Sequence, residues 1–223
     1  MQLTERDVGI LRDLSRFQAL TVDQVARRHF GAVNTAANRL AQLVSAGYVR
    51  VERPVFRGRA AYLTSPAGAR LAGLDLPAAR FSPVVLPHRL AVADLAEALL
   101  ARHPGASWVT ERELRSDAMR TVRDSRYGRL LFGTPHVPDG LLMLPDGPKS
   151  GVAVELEVTV KKADRYRGIL RWYGGDLRYE RVWWFGATPA ICRRMTEAVE
   201  RERMTDFVRV EPLPAGVTVS RWG

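Results

Sequence analysis

The first third of the chain sets apolar residues at a helical period. Val8, Leu11 and Leu14 share one face with Ile10 and Phe17 beside it, and Thr4 with Asp7 forms a capping box at the start. A second box, Thr21 with Gln24, opens a short helix that carries Val22, Val25 and Ala26 and ends near Gly31. Ala37, Leu40, Leu43 and Val44 mark a third helix, with Asn34 as its expected cap and Gly47 as its stop. Two extended runs follow, 48–52 and 60–63, joined by an arginine-rich turn through Gly58. Ser65-Pro66 predicts a last short helix with proline at its first position. Residues 74–87 hold three prolines and no clear period, which reads as a linker.

After that stretch the period changes. Apolar residues at 92, 95, 96, 99 and 100 predict an amphipathic helix over 88–102, followed by a strand over 108–114. Leu141 to Leu144 extends out of a Pro-Asp-Gly turn at 138–140. Residues 152–160 alternate strictly, with Val152, Val154, Leu156, Val158 and Val160 on one face and Ala153, Glu155, Glu157 and Thr159 on the other. A helix over 161–173, a very apolar strand over 182–185, a helix over 189–202 and a strand over 207–210 complete the pattern. The expected division is a domain at 1–73, a linker at 74–87 and a domain at 88–223, in an α/β (α+β) chain.

Three helices and a hairpin make the order of a winged helix-turn-helix. The phrases Leu43-Val-Ser-Ala-Gly-Tyr-Val49 and Tyr62-Leu-Thr-Ser-Pro-Ala-Gly68 resemble many bacterial winged-helix regulators. In that arrangement the third helix enters the major groove, which makes Thr35, Asn38, Arg39 and Gln42 candidate base or phosphate contacts. Arg53, Arg57 and Arg59 at the hairpin tip are candidates for the DNA backbone or minor groove.

Charge supports that direction. The 223 residues carry a net charge of +10, which favours a polyanionic partner, most simply double-stranded DNA. The single cysteine, Cys192, excludes an internal disulfide and a cysteine-based zinc site, and suits a reducing cytoplasm. The N-terminus lacks the order of a signal peptide, and no apolar run approaches the ~18 residues of a membrane helix. No phosphate-binding Gly-x-x-x-x-Gly-Lys-Ser loop or Gly-x-Ser-x-Gly elbow occurs. His29, His88, His103 and His136 are scattered, which argues against a histidine-held metal, though His136 stands three residues before Asp139.

The candidate chemistry is acidic. Asp139 sits in the Pro-Asp-Gly turn, while Glu155 and Glu157 project from one strand face within ~7 Å of each other. Lys161 and Lys162 follow, two of only three lysines in the chain, the third being Lys149, against thirty-one arginines. The predicted order, α-β-β-β-α-β with a further α-β, and the acids at its second and third strands look like the PD-(D/E)xK nuclease fold, which is restriction-endonuclease-like. That resemblance implies catalytic Asp139, Glu155, Glu157, Lys161 and Lys162, with Asp139, Glu155 and Glu157 holding Mg²⁺ or Mn²⁺. The pattern departs at one position, since the lysine expected two residues after the strand acid is here Glu157. Lys161 or Lys162 must then reach back on its flexible stem. Arg112, Arg115, Arg120, Arg123, Arg126 and Arg129 read as a basic loop over a nucleic-acid path. Tyr166 and Tyr173, one helical face apart, read first as packing residues and second as transesterification nucleophiles.

Taken together, the chain resembles the replication-relaxation family of plasmids and conjugative elements over roughly residues 4–186. The resemblance rests on Tyr62-Leu-Thr before Gly68, His88-Arg-Leu-Ala-Val-Ala-Asp94, Pro138-Asp-Gly140, the Glu155-x-Glu157 strand and Lys162-x-x-x-Tyr166. It implies DNA as partner and a part in replication or mobilisation of an element. Self-association into a homodimer and contact with replication or transfer proteins of the same element are further partners it allows. Two readings stay open: a metal-dependent DNA nicking or cleaving enzyme, and a non-catalytic winged-helix regulator of transcription or replication. In the second, the nuclease-like domain is degenerate and serves dimerisation or partner contact. A protein–protein adaptor without salt-sensitive DNA affinity is a third reading.

Overall fold

A computed structural model describes residues 2–53, 59–76, 78–124, 136–146, 151–176, 178–217 and 219. The chain forms two compact units, Met1–Ala93 and Asp94–Val219, and is a mixed α/β protein with two sheets. The division falls inside the helix Leu86–Arg102, beyond the 74–87 stretch. Among the described residues no helix is long and apolar enough to cross a membrane.

The first unit runs α1 (Glu5–Phe17), β1 (Leu20–Thr21), α2 (Val22–His29), α3 (Val33–Ser45), β2 (Val49–Glu52), β3 (Ala61–Thr64) and α4 (Pro66–Ala72). Both expected capping boxes form, Thr4 with Asp7 and Thr21 with Gln24, because each N-cap hydroxyl accepts from the third amide while that residue's side chain returns to the cap. Helix α3 starts earlier than expected. Ala32 is its N-cap, with no side-chain hydrogen bond, so Asn34 lies inside the first turn. Its end is as predicted: Gly47 takes a φ of 77°, and the amides of Gly47 and Tyr48 donate to the carbonyls of Val44 and Leu43. The strands order β1-β3-β2, all antiparallel. Residues of the expected linker lie against this unit: Ala79 and Leu86 are buried with Ala19, Ala61, Leu63 and Leu90, and the Ala79 carbonyl accepts from Arg50. Apolar side chains within a proline-rich stretch are enough to dock it.

One ion pair ties α1 to α3. Asp7 is almost fully buried, and its carboxylate accepts from Arg39 Nε at 2.6 Å, from a second Arg39 guanidinium nitrogen and from the Thr4 amide at 2.7 Å. Arg39 outweighs burial and holds the Asp7 carboxyl at about 2, below the usual carboxylate range. A folded-state pKa below the unfolded value means that the stabilisation is complete above about pH 4 and lost as pH falls through about 2. The first unit is therefore expected to lose roughly 2 kcal/mol of stability across that window. Denaturant unfolding followed by circular dichroism at pH 5, 3 and 2 checks this.

In α5 (Leu86–Arg102), Leu90, Ala91, Val92, Ala93, Leu95, Ala96 and Leu99 are all buried. Burial thus extends round much of the helix instead of along the single stripe expected, and the alanines make this possible because they leave room for close neighbours on several sides.

The second unit continues with β4 (Ser107–Thr110), α6 (Glu111–Asp124), β5 (Gly140–Met143), β6 (Val152–Glu157), α7 (Ala163–Gly175), β7 (Arg181–Gly186), α8 (Pro189–Arg201) and β8 (Val208–Pro212). The strand predicted over 108–114 stops at Thr110. There Thr110 and Glu113 exchange capping hydrogen bonds, the Thr110 amide donating to Glu113 Oε2 at 2.8 Å, and the chain turns into α6. Arg112, Arg115, Arg120 and Arg123 therefore lie on a helix and not on a loop, while Arg126 and Arg129 lie outside the described residues. The sheet orders β4-β5-β6-β7-β8, antiparallel as far as β6 and parallel from β6 to β8. A core of Ala153, Tyr166, Leu170, Tyr173, Trp184 and Met195 joins the sheet to α7 and α8.

Candidate functional site

The acidic residues meet where β5 begins and β6 ends. Asp139 directly precedes β5, and its Oδ2 accepts from the Leu156 amide at 2.8 Å across to β6. Gly140 is required next to it, because a Cβ there would lie 1.9 Å from the Trp108 ring. With β5 seated by that ring, Asp139 is fixed beside the C-terminal half of β6.

Glu155 and Glu157 share a face of β6, as their spacing requires, but that face is not solvated. Glu155 is 8% exposed and Glu157 3%. Ala153, on the same face, belongs to the core beneath α7 and α8. Tyr173 of α7 donates to Glu155 Oε1 at 2.5 Å, and His136 Nε2 lies 2.5 Å from the same oxygen. His136 also stacks edge-on against Trp172 and Tyr173. Burial pushes the Glu155 carboxyl up; the nearby charge of Asp139 adds to this, while hydrogen bonds from His136 and Tyr173 oppose it. Burial likewise pushes the Tyr173 hydroxyl well up, with the charge of Glu155 adding to it.

Glu157 has a different environment. Lys161 Nζ lies 2.5 Å from Glu157 Oε2 as an ion pair without hydrogen-bond alignment, and the Thr159 amide donates to Oε1 at 3.3 Å. Strand β6 ends at Glu157, and the irregular stretch 158–162 that follows brings Lys161 back to it. The Lys161 amide donates to the Tyr166 hydroxyl at 3.1 Å, and burial pushes that hydroxyl's pKa up. Lys162, the N-cap residue of α7, is exposed.

The expected residues thus separate into two groups. The charge of Asp139 acts on Glu155, to which His136 and Tyr173 are bound, while Glu157 pairs with Lys161. Both tyrosines are buried, Tyr166 at 1% and Tyr173 at 2% exposure, which fits the packing role and leaves neither open to a phosphodiester. The sequence pointed to His136 through its proximity to Asp139. It carried no signal that Tyr173 would bind Glu155, since a tyrosine on an apolar helix face looks the same whether or not its hydroxyl finds a carboxylate.

Among the described residues no group of three or more His, Cys, Asp or Glu side chains is arranged to hold a metal ion. Two carboxylates are present, however, and Mg²⁺ commonly takes one or two carboxylates with water and phosphate oxygens. Asp139 and Glu155 supply hard oxygens, and the charge of Asp139 disfavours ionisation of Glu155. A cation would relieve that repulsion, so this pair fits the ion.

In the first unit, Thr35, Asn38 and Gln42 are exposed on α3, opposite buried Ala36, Leu40 and Leu43. Arg39 is partly covered and bound to Asp7 and to Gln42 Oε1 at 2.6 Å. Arg53 is exposed, Arg59 lies 3.7 Å from Asp23, and Arg57 is outside the described residues.

These features define a mixed α/β protein of two units, one presenting a polar helix face and the other a buried carboxylate cluster on the inner strands β5 and β6 of its sheet. A model of the replication-relaxation family matches residues 11–179, and the chain belongs to that family. Membership suggests a part in the replication or mobilisation of a plasmid or other mobile element. No curated protein matches the chain.

Proposed function

We propose that this chain is a DNA-binding protein of a mobile element, with a winged helix-turn-helix in its first unit and a PD-(D/E)xK-like nuclease domain in its second, acting as a metal-dependent nicking enzyme. The observation that carries the proposal is the junction of Asp139 with β6, where a turn acid meets a strand acid, Glu155, across neighbouring strands. The order α1-β1-α2-α3-β2-β3 supports the winged helix, and the exposed Thr35, Asn38 and Gln42 support α3 as its reading helix. The net charge of +10 supports a polyanionic partner in the cytoplasm.

Asp139 and Glu155 would hold Mg²⁺ or Mn²⁺. Bound there, the ion would supply an activated water and neutralise charge developing on the phosphate. Tyr173 and His136 orient the Glu155 carboxylate through its Oε1. Lys161, anchored on Glu157, brings a cation to the strand position where the pattern lacks its lysine.

One observation favours the second reading, a non-catalytic regulator: Glu155 is buried and already carries two hydrogen-bond partners. Supercoiled plasmid incubated with the protein, with and without Mg²⁺ or Mn²⁺, separates the two. Nicked circles that form only with the metal support the enzyme. Salt-sensitive retardation with no nicked product at either metal assigns the chain to the regulator, and no retardation at any salt rejects DNA binding altogether.

A further inference from the structure

Next to the Glu157–Lys161 pair a groove of about 280 Å³ opens between the start of α7 and one face of α8. It is lined by Lys161, Lys162 and Tyr166 on one side and by Arg194, Glu197 and Arg201 on the other. Residues 194, 197 and 201 recur at helical spacing, so α8 turns a single, mostly cationic stripe towards the groove. The carboxylates nearby are engaged. Glu157 pairs with Lys161, and Glu197 lies 3.6 Å from Arg194. In the smaller hollow that adjoins it, Asp164 pairs with Arg167 and Glu202 with Arg171. Lys162 and Arg201 have no ion-pair partner among the described residues.

The groove has an apolar floor of Val160, Ala163 and Ala198, and with Lys161 and Arg194 already paired it leaves Lys162 and Arg201 as the two cations that favour an anion there. The lysines strengthen this. Lys161 and Lys162 are two of only three in an arginine-rich chain, and lysine offers a compact point charge for a phosphate oxygen. The N-terminus of α7 faces the same space and carries no side-chain cap, so its first amides add partial positive charge.

We propose that this groove binds a backbone phosphate of a nucleic-acid strand, next to the one presented to the Asp139–Glu155 pair. This rests on the reading of the chain as a DNA-binding protein, and β6, which carries Glu155 and the Lys161-paired Glu157 on one face, is the physical link between the two places. Lys162 and Arg201 hold the phosphate oxygens from opposite walls, while Lys161 stays on Glu157.

The test is ¹⁵N–¹H correlation spectroscopy on the full chain, titrated separately with inorganic phosphate and with a short DNA oligonucleotide. Wild type is compared with Lys162→Gln and Arg201→Gln, both at exposed positions and each keeping a polar, uncharged side chain. The expected result is saturable shifts of the Ala163 and Asp164 amides with both probes, with apparent Kd rising about tenfold in each variant. The dependence of log Kd for the oligonucleotide on log salt should also fall by about one phosphate contact's slope. Shifts with phosphate but none with the oligonucleotide would overturn the strand backbone as the ligand and leave a small-phosphate site. No saturable shift with either probe, or shifts unchanged in both variants, would overturn the groove as a phosphate site whether or not the protein binds DNA elsewhere. Absence of oligonucleotide binding anywhere on the chain would instead count against the DNA-binding reading itself.

Discussion

Asp139→Asn is expected to lower metal-dependent plasmid nicking by at least about 100-fold, while plasmid retardation changes by less than about twofold. The substitution isolates charge from shape. The asparagine oxygen still accepts from the Leu156 amide, so the link from the start of β5 to β6 persists. What disappears is the negative charge next to Glu155, half of the pair proposed to hold the metal. Asp139→Ala removes both, and any extra loss in that variant measures the link. Initial nicking rates across a metal titration, with thermal melts of each variant, check the prediction. Equal rates for wild type and Asp139→Asn would remove this carboxylate from catalysis. If Glu155→Gln then also nicked at the wild-type rate, the Asp139–Glu155 pair would be rejected as the nicking site.

The second large effect is on stability. Arg39→Ala is expected to destabilise the first unit by about 3 kcal/mol near neutral pH, because it leaves a buried carboxylate without its counter-charge. Asp7 is 1% exposed as a side chain and Arg39 22%, so the arginine is the partner that water can reach. The cost stays near the lower end of the usual range because Thr4 still donates to Asp7 through its amide and hydroxyl. As pH falls from about 4 to 2, Asp7 protonates in both proteins and the difference should shrink towards the loss of packing alone. Arg39→Lys should recover only part of it, since an ammonium cannot repeat the two-pronged contact. Hydrogen exchange resolved to α1 and α3, with denaturant unfolding at pH 6 and 2, tests both claims. A difference independent of pH would show that Arg39 stabilises α3 by packing and not through Asp7.

Under the proposed function, this pair also changes what α3 would offer to DNA. A basic residue on a candidate reading helix suggests a base contact, and Arg39 falls among the outward positions by spacing. In the fold its guanidinium is spent on Asp7, a residue 32 positions away, and on Gln42. Thr35 and Asn38 remain the exposed polar groups least committed to the protein's own structure. Their substitution should therefore weaken specific binding without touching stability, which distinguishes them from Arg39.

Sequence alone determined the features that depend on near neighbours. Thr4 with Asp7, Thr21 with Gln24, Ser65 before Pro66 and Gly47 after α3 each act within one helical turn, and a residue's own hydroxyl, carboxylate or missing Cβ decides the outcome. The alternation at 152–157 placed Glu155 and Glu157 on one face because successive strand residues must point oppositely. The same local logic applies at Thr110 and Glu113, whose capping bonds start a helix where a strand and a basic loop are expected. Tertiary structure decided everything that needed a distant partner. Parity cannot say that both faces of β6 are covered, and the packing of α7 puts the glutamates inside instead of in water. Nor can spacing say that His136, 19 residues away, and Tyr173, 18 away, would both reach Glu155. A buried carboxylate must find donors or lose its charge, and only the folded chain determines which donors are within reach.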